Sequence, residues 1–198
     1  MIYLVRHGQS EWNLLRRTQG QIPHPQLTDL GRRQASAAAQ AIRADAEQNG
    51  QPIRSVIASD LVRAVQTAQI VAGALAVPMR LDGRWREQRL GRLEGLGYGE
   101  TDAELAGNRA GSDAPIGGGE SARQVTERIA AALGDLDPTT VTVVVTHGDT
   151  IRCLLAYVTG DAAAFDLSDL MPNGAVVALD RRCGCRIRRL AGPPLAGV

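Results

Sequence analysis

The chain contains no lysine, and all 22 of its basic residues are arginine. That absence excludes chemistry that needs an amine side chain, such as a Schiff base or the lysine of a P-loop. Acidic residues number 21, so the formal net charge is only +1. A protein that binds nucleic acid or an anionic membrane by bulk charge carries a basic excess. We therefore predict no nucleic-acid partner and no membrane partner.

Cysteine is also scarce, and three cysteines are too few for a disulfide framework. Cys183 and Arg189 have the C-x5-R spacing of cysteine-dependent phosphatases, but the residues between them alternate like an edge strand. We therefore assign no catalysis to cysteine, and expect Cys153, at a helical position, in the core. The three histidines give no metal-binding pattern, so neither a metal nor a cofactor is implied.

Long hydrophobic runs are missing as well. No apolar stretch is long enough to cross a bilayer, and the N-terminus lacks a basic region followed by an apolar one. We therefore expect a cytoplasmic protein. Apolar residues make up 44% and charged residues 22% of the 198 residues, as is typical of a globular protein. This length predicts one domain over residues 1–198.

The residues that are present alternate between strand and helix patterns. Strands are predicted at 2–6, 54–58, 79–81, 141–146, 175–179 and 186–190. Helices are predicted at about 28–50, 60–75, 101–106, 120–136 and 149–158. This order predicts an α/β fold, namely a three-layer αβα sandwich with a mostly parallel central sheet and an antiparallel edge strand. An edge strand could pair with a second copy of the chain, so the sequence leaves open whether the protein forms a homodimer. The glycine-rich segment 83–119 is typical of a lid or binding loop.

Two of the three histidines directly follow predicted strands. His7 stands in L-V-R-H-G and His147 in V-T-H-G-D. If the two strands are neighbours, both imidazoles face one pocket at the carboxyl ends of the strands, where open α/β sheets bind ligands. Gly8 and Gly148 would let backbone approach that ligand, and the helices that follow would point free N–H groups at an anion. Two imidazoles beside Arg6 predict chemistry on a phosphoryl group.

Seven motifs, in order, complete the pattern. They are L-V-R-H-G-Q-S-E-W-N at 4–13, Q-G-Q at 19–21, L-T-D-L-G-R-R-Q-A at 27–35, A-S-D-L-V-R-A-V-Q-T-A at 58–68, R-W-R-E-Q-R-L-G-R-L-E-G-L at 84–96, G-G-G-E-S at 117–121 and V-T-H-G-D-T-I-R at 145–152. With them the chain resembles the histidine phosphatase superfamily, whose members include phosphoglycerate mutases and many small phosphatases. The resemblance covers nearly the whole chain and implies a phosphoglycerate mutase-like fold.

The resemblance also implies roles for individual residues. His7 matches the nucleophile that becomes a phosphohistidine, and Glu87 matches the usual proton donor. The phosphate-binding positions are matched by Arg6, Asn13, Gln19, Arg63 and His147. Of these, Gln19 matches a position that varies within the family. Glu94 matches a position that is more often structural, and we expect His24 to be a loop residue near the substrate entrance.

Elementary chemistry supports these roles. Two guanidinium groups can each bind two phosphate oxygens, and phosphoryl transfer needs mainly positioning and charge stabilisation. The nucleophile must be neutral at its attacking nitrogen, so its other nitrogen should donate to a backbone carbonyl. An alkoxide leaving group needs an acid, and Glu87 can serve if burial and the phosphate raise its pKa.

These observations favour a phosphomonoesterase that acts on a small phosphorylated metabolite through a phosphohistidine. A phosphoglycerate mutase is the first alternative, although mutases of this superfamily are usually longer. A non-catalytic module that binds a phosphorylated ligand is the second. The arginines of the middle segment either reach a second anionic group of the substrate or form a solvated basic loop balanced by Glu87, Glu94 and Glu100; they are Arg84, Arg86, Arg89, Arg92 and Arg109. Trp85 and Tyr98 either stack on substrate or cap the core.

Overall fold

Four parallel strands make up most of a six-stranded sheet whose order is β3-β2-β4-β1-β5-β6. The computed structural model describes residues 1–106, 112–160, 171–180 and 186–190. The strands are β1 (Ile2–Arg6), β2 (Ile53–Ala58), β3 (Met79–Leu81), β4 (Val141–Thr146), β5 (Val176–Asp180) and β6 (Arg186–Leu190). β5 pairs antiparallel with both β1 and β6. The predicted mostly parallel sheet with an antiparallel edge is confirmed.

Helices cover both faces of the sheet, which makes the three predicted layers. They are α1 (Glu11–Leu14), α2 (Asp29–Gln48), α3 (Val62–Leu75), α4 (Tyr98–Leu105), α5 (Ala122–Gly134) and α6 (Gly148–Thr159). α2 and α3 pack on one face, α5 and α6 on the other. None of the helices in the described part of the chain combines the length and hydropathy needed to cross a bilayer.

Helix α1 and two 3₁₀ turns, Gly83–Trp85 and Gly91–Leu93, are absent from the sequence prediction. Helix α1 has only four residues, too few to show a helical period. It is held by a capping box in which Asn13 N–H donates to the Ser10 hydroxyl and the Asn13 side chain accepts from Ser10 N–H. Local side-chain capping, rather than an apolar face, therefore forms this helix.

Strand β1 contributes side chains to both layers of the core, because its side chains alternate between the two faces of the sheet. Ile2 and Leu4 pack with α5 and α6, while Tyr3 and Val5 pack with α2 and α3. All six residues of β4 are buried, as expected for a strand covered on both faces. Cys153 lies in the core, as predicted, and Cys183 lies outside the described residues.

The register of β1 and β4 brings the two strand–His–Gly junctions together. Arg6 lies opposite Thr146, and the N–H of His7 donates to the Thr146 carbonyl at 3.0 Å. Strand β2 pairs with the other side of β4, so its carboxyl end, Ala58, reaches the same edge of the sheet. The residues that follow these three strands therefore meet in one place.

Two glycines allow the loop after β1 to lie against the first turn of α2. A Cβ on Gly8 would stand 2.2 Å from the Gly31 carbonyl oxygen, and a Cβ on Gly31 would stand 2.1 Å from the Gln9 carbonyl oxygen. Both distances are far below van der Waals contact. The backbone that carries His7 is therefore positioned by direct contact with α2.

We expect Gly31→Ala to lower the free energy of unfolding by about 1–3 kcal/mol, because the methyl group forces α2 and the loop at Gly8 apart. Gly73→Ala is the matched control: it also lies in a helix, and a Cβ at that position would meet nothing within 4 Å. That change should stabilise the protein by about 0.5–1 kcal/mol through helix propensity. Chemical denaturation of both variants measures the difference. Equal effects would show that the close approach is not a constraint.

Candidate active site

His7 and His147 lie side by side at the carboxyl edge of the sheet. Their ring centroids are 5.1 Å apart and their planes are inclined by 60°. Both rings are buried, with exposed fractions of 3% for His7 and 0% for His147. The structure thus brings together the two imidazoles that the sequence places 140 residues apart, counting from position 7 to position 147.

A cavity of about 140 Å³ opens beside His7. Six of the residues to which the family resemblance gives a role line it, and so does Tyr98; the six are Arg6, His7, Asn13, Gln19, Arg63 and Glu87. His147 is not among the lining residues, but its ring lies against that of His7. Gly148 lies beside Arg6, since a Cβ at that position would stand 3.5 Å from the guanidinium carbon.

One nitrogen of His7 is committed to the backbone. Nδ1 lies 2.7 Å from the carbonyl oxygen of Gly8, so the neutral ring carries its proton on Nδ1 and leaves a lone pair on Nε2. The N–H of Gly8 in turn donates to the hydroxyl of Thr67 at 3.1 Å, which fixes that peptide. Burial, with further contributions from Arg63 and Arg6, holds the pKa of His7 well below its usual value. His7 is therefore a neutral imidazole with one free nitrogen.

His147 is tied down at its opposite nitrogen. Its Nε2 lies 2.8 Å from the hydroxyl of Ser59, while its buried Nδ1 has no hydrogen-bond partner among the described residues. Burial first, and then the charge of Arg63, holds the pKa of His147 well below its usual value. Sequence reasoning missed Ser59 as a site residue, although its position directly after β2 was the available signal.

Two arginines bring guanidinium groups to the cavity wall. Arg63 is 1% exposed and donates to the carbonyls of Ile22 at 2.9 Å and Gly20 at 2.7 Å. Burial lowers its pKa to about 10, which still leaves it protonated at neutral pH. Arg6 donates through Nη1 to the Met171 carbonyl at 2.6 Å. The Nε atoms of both residues are buried without a partner among the described residues, so an anion can satisfy them.

Glu87 lies at the N-terminus of α6. Its carboxylate accepts from the N–H of Asp149 at 3.3 Å and from the N–H and hydroxyl of Thr150 at 3.1 and 3.2 Å. Burial, reinforced by the charge of Asp149, raises the pKa of Glu87 above its usual value, although the hydrogen bond from the Gln88 N–H at 3.0 Å and the charges of Arg63 and Arg6 oppose the shift. The side chain is thus placed to hold a proton near the cavity.

The expectation that helix N-termini present free N–H groups to an anion is wrong in part. At α6 the N–H groups of Asp149 and Thr150 donate to Glu87 instead. After His7, the chain does not enter a helix until Glu11, whose N–H donates to the Gln26 carbonyl at 2.8 Å. The cationic side chains, more than the helix ends, therefore make this site attractive to an anion.

Amides form the outer wall of the cavity. The Asn13 carbonyl oxygen accepts from Asn173 at 3.2 Å, and its amide donates to the Tyr98 hydroxyl at 3.4 Å. Gln19 accepts from the Ser10 hydroxyl at 2.8 Å. Asn173 also donates to the His7 carbonyl at 3.2 Å, so a residue 166 positions away helps to hold the backbone of His7.

The four described arginines of the middle segment bind groups outside the cavity, and Arg89 donates to the Gly119 carbonyl at 3.5 Å. Three of them bind carboxylates: Arg84 binds Asp82 and Asp135, Arg86 binds Asp60, and Arg92 binds Glu104. None of these three lines the cavity. Their partners are not the glutamates nearest in sequence, and Arg109 lies outside the described residues.

Other side chains have structural roles. The Glu94 carboxylate accepts from the N–H groups of Gln21 and Leu90 at 3.0 and 2.9 Å, and so holds two loops together. His24 is exposed and stacks edge-on against Trp12, with ring centroids 5.4 Å apart. Trp85 is buried in the core, whereas Tyr98 lines the cavity. Within the described ranges, no cluster of three or more His, Cys, Asp or Glu side chains forms a metal site.

Comparison with known proteins places this site in a family. The sequence matches the family model of the histidine phosphatase superfamily (branch 1) over residues 2–191, and the chain belongs to that superfamily. It is 38% identical over 167 residues to the probable phosphoglycerate mutase GpmB of Cronobacter sakazakii, covering 80% of this chain and 74% of that protein.

Solved structures share the fold. A structure titled mycobacterial hydrolase 1 has a TM-score of 0.75 at 29% identity and covers 97% of this chain and 98% of its own. A mycobacterial glucosyl-3-phosphoglycerate phosphatase, solved with VO3, has a TM-score of 0.71 at 28% identity and covers 95% of this chain and 96% of its own. The phosphoglycerate mutase-like fold is thereby confirmed.

We expect both buried imidazoles to stay neutral at pH 6, where a hydrated imidazole would be ~75% protonated. This expectation follows from the lowered pKa values of His7 and His147, because burial and the neighbouring guanidinium groups disfavour a further positive charge. Imidazole ¹⁵N shifts in phosphate-free buffer measure the protonation, and His24→Asn removes the third histidine from the spectrum. A midpoint near 6.5 for either ring would contradict the geometry.

Proposed function

We propose that the protein is a phosphomonoesterase that hydrolyses a small phosphorylated metabolite through a phosphohistidine on His7. The observation that carries this proposal is that three of the predicted site residues around His7 keep a buried nitrogen without a partner, as does the core residue Trp85. Nε of Arg6, Nε of Arg63 and Nδ1 of His147 are all buried without partners among the described residues. Buried donors of this kind cost free energy unless an anion satisfies them. A phosphoryl group supplies the oxygen acceptors that they need.

In the first step, Nε2 of His7 attacks phosphorus. A P–N bond forms, the bond from phosphorus to the ester oxygen breaks, and the alkoxide takes the proton of Glu87. Arg6 and Arg63 bind the equatorial oxygens, where charge is spread in the transition state. His147 stays neutral and donates one hydrogen bond from Nδ1, with Ser59 on its other nitrogen holding the ring.

In the second step, water attacks the phosphohistidine. The Glu87 carboxylate takes a proton from that water, the P–N bond breaks, and its electron pair returns to Nε2 of His7. Glu87 is suited to the first step because burial raises its pKa and so favours the protonated form, and its carboxylate is the base in the second step. Phosphate and an alcohol leave, and the enzyme returns to its starting state.

A phosphoglycerate mutase is the alternative that the GpmB relative suggests. Phosphoglycerate carries a carboxylate beside its phosphate, and such a substrate calls for a further cation in the outer wall. Among the described residues that line the cavity, the cationic ones are Arg6 and Arg63, both at the phosphate end. The polar lining residues Asn13, Gln19 and Tyr98 are uncharged, so the described lining holds no third cation for a carboxylate, which supports a hydrolase over a mutase.

A module that only binds a phosphorylated ligand is less well supported. Simple binding of a phosphate dianion has no use for a buried carboxyl group beside it, since a carboxylate would repel the ligand. Glu87 is nevertheless held by three donors at the end of α6. An acid in this position serves proton transfer.

The first test traps the intermediate. We expect a ³²P-labelled phosphomonoester to leave label on the protein that survives alkali, is lost in acid and maps to His7. His7→Ala should lack the label and lose at least about a thousandfold in kcat/KM, because no nucleophile remains. Label on another residue, or full activity of His7→Ala, would contradict the mechanism. Phosphoglycerate interconversion with little release of phosphate would favour the mutase.

The second test isolates Glu87. With an alkyl phosphate, Glu87→Gln should slow phosphorylation of His7 by about 10²–10⁴-fold, since the alkoxide finds no acid. With p-nitrophenyl phosphate, whose leaving group needs no proton, phosphorylation should persist. The phosphohistidine should then accumulate, because its hydrolysis lacks a base. Rapid-quench measurement of bound label against time distinguishes the two steps. Equal slowing with both esters would rule out proton transfer by Glu87.

A further inference from the structure

Residues 84–89, which we term the acid segment, carry Glu87 and have no regular secondary structure after the 3₁₀ turn Gly83–Trp85. Their carbonyls bind groups of several elements, among them the Thr150 hydroxyl, which donates to the Arg86 carbonyl at 2.8 Å. The Trp85 carbonyl accepts from the Thr146 hydroxyl of β4 at 2.6 Å. The carbonyls of Arg84, Arg86 and Glu87 instead converge on one side chain of α5.

That side chain is Arg128. Its Nη1 donates to the carbonyls of Arg84 and Arg86, each at 2.7 Å, and its Nη2 donates to the Glu87 carbonyl at 3.0 Å. Its Nε and Nη2 also donate to the two carboxylate oxygens of Glu120 at 3.0 and 3.1 Å. All five N–H groups of the guanidinium therefore have partners. Its side chain is 17% exposed, so water offers little competition for these contacts.

Glu120 contacts the backbone on the C-terminal side of Glu87. Its Oε2 accepts from the N–H of Arg89 at 2.8 Å and from the Gln21 amide at 3.3 Å. The Gln21 amide also donates to the Glu87 carbonyl at 2.9 Å. The Arg128–Glu120 ion pair thus binds backbone groups on both sides of Glu87 while touching neither its carboxylate nor the cavity.

We propose that Arg128, paired with Glu120, is a positioning residue that holds the acid segment so that Glu87 delivers its proton to the leaving group. The inference rests on the proposed function and adds to it a residue, Arg128, that does not contact the reacting atoms. Three carbonyl oxygens that face one another repel unless a cation lies between them. A planar guanidinium satisfies all three and the carboxylate at once, whereas an ammonium group has only three donors.

Loss of the guanidinium fork should act mainly on the acid segment; the charge of Arg128 also contributes to the lowered pKa of His147, and Arg128→Lys keeps that charge. The acid segment would relax away from the end of α6, and Glu87 would leave the donors of Asp149 and Thr150. His7, Arg6 and Arg63 belong to other elements and would keep their places. Attack on phosphorus would therefore continue, while protonation of the leaving group would fail.

The variants are Arg128→Met, which removes the charge, and Arg128→Lys, which keeps the charge but not the fork. Arg123→Met is the matched control. Arg123 lies on the same helix and is paired with Asp113, but its side chain is 60% exposed and its ion pair does not involve the acid segment. The readout is the single-turnover rate of His7 phosphorylation by an alkyl phosphate divided by the rate with p-nitrophenyl phosphate. A ratio within one preparation does not depend on the fraction of folded enzyme.

We expect Arg128→Met and Arg128→Lys to lower this ratio by about 10–100-fold, since a displacement of roughly 1 Å can cost that much. Arg123→Met should leave it within about twofold of the wild type. With the alkyl ester, the fall in rate towards high pH should move to lower pH in Arg128→Lys, because a less buried Glu87 loses its proton sooner.

Three results separate failure of this inference from failure of the proposed function. If the wild type forms no phosphohistidine, the proposed function is wrong and the ratio has no meaning. If the wild type forms it and Arg128→Lys slows both esters equally or neither, the positioning role is wrong. If Arg128→Met does not fold, Arg128→Lys and Glu120→Gln supply the ratio, and an unchanged ratio in both overturns the proposal.

Discussion

The parallel pairing of β1 with β4 is the contact on which this site depends. It sets Arg6 opposite Thr146 and delivers His7 and His147 to the same edge of the sheet. Side chains alternate along β1, so a slip of one residue would exchange Tyr3 and Leu4 between the two layers of the core. The packing of the core therefore specifies the register, and the register specifies the distance between the imidazoles.

Burial leaves the histidines of the site neutral but its arginines charged. It lowers the pKa of histidine and of arginine alike, because a low dielectric disfavours the charged form. A histidine begins near neutral pH, so His7 and His147 become neutral. The usual pKa of an arginine lies far above neutral pH, so Arg63, whose pKa burial lowers to about 10, remains charged. The same physical cause thus provides an uncharged nucleophile beside fixed positive charge, which a phosphate ester requires.

The fold was more accessible from the sequence than the surroundings of the site. Strands β1 and β4 are short and apolar between clear boundaries, and α2 and α3 repeat apolar residues at helical spacing, so all four were predicted. Helix α1 escaped because a side-chain cap forms it. The sequence left two alternatives for the arginines at 84, 86 and 92, a substrate anion or the nearby Glu87, Glu94 and Glu100. In the structure they bind neither of these but Asp60, Asp82, Asp135 and Glu104.

By itself, the sequence determined the order of strands and helices, the two strand–His–Gly junctions and the residue types that suit a phosphoryl group. These are local properties, since a strand end or a cap depends on a few adjacent residues. Only the tertiary structure decided that Ser59 meets His147, that Asp149 and Thr150 donate to Glu87, and that Arg128 gathers three carbonyls around the acid segment. Those contacts join residues far apart in the chain, and the packing of the layers alone brings them within hydrogen-bond reach.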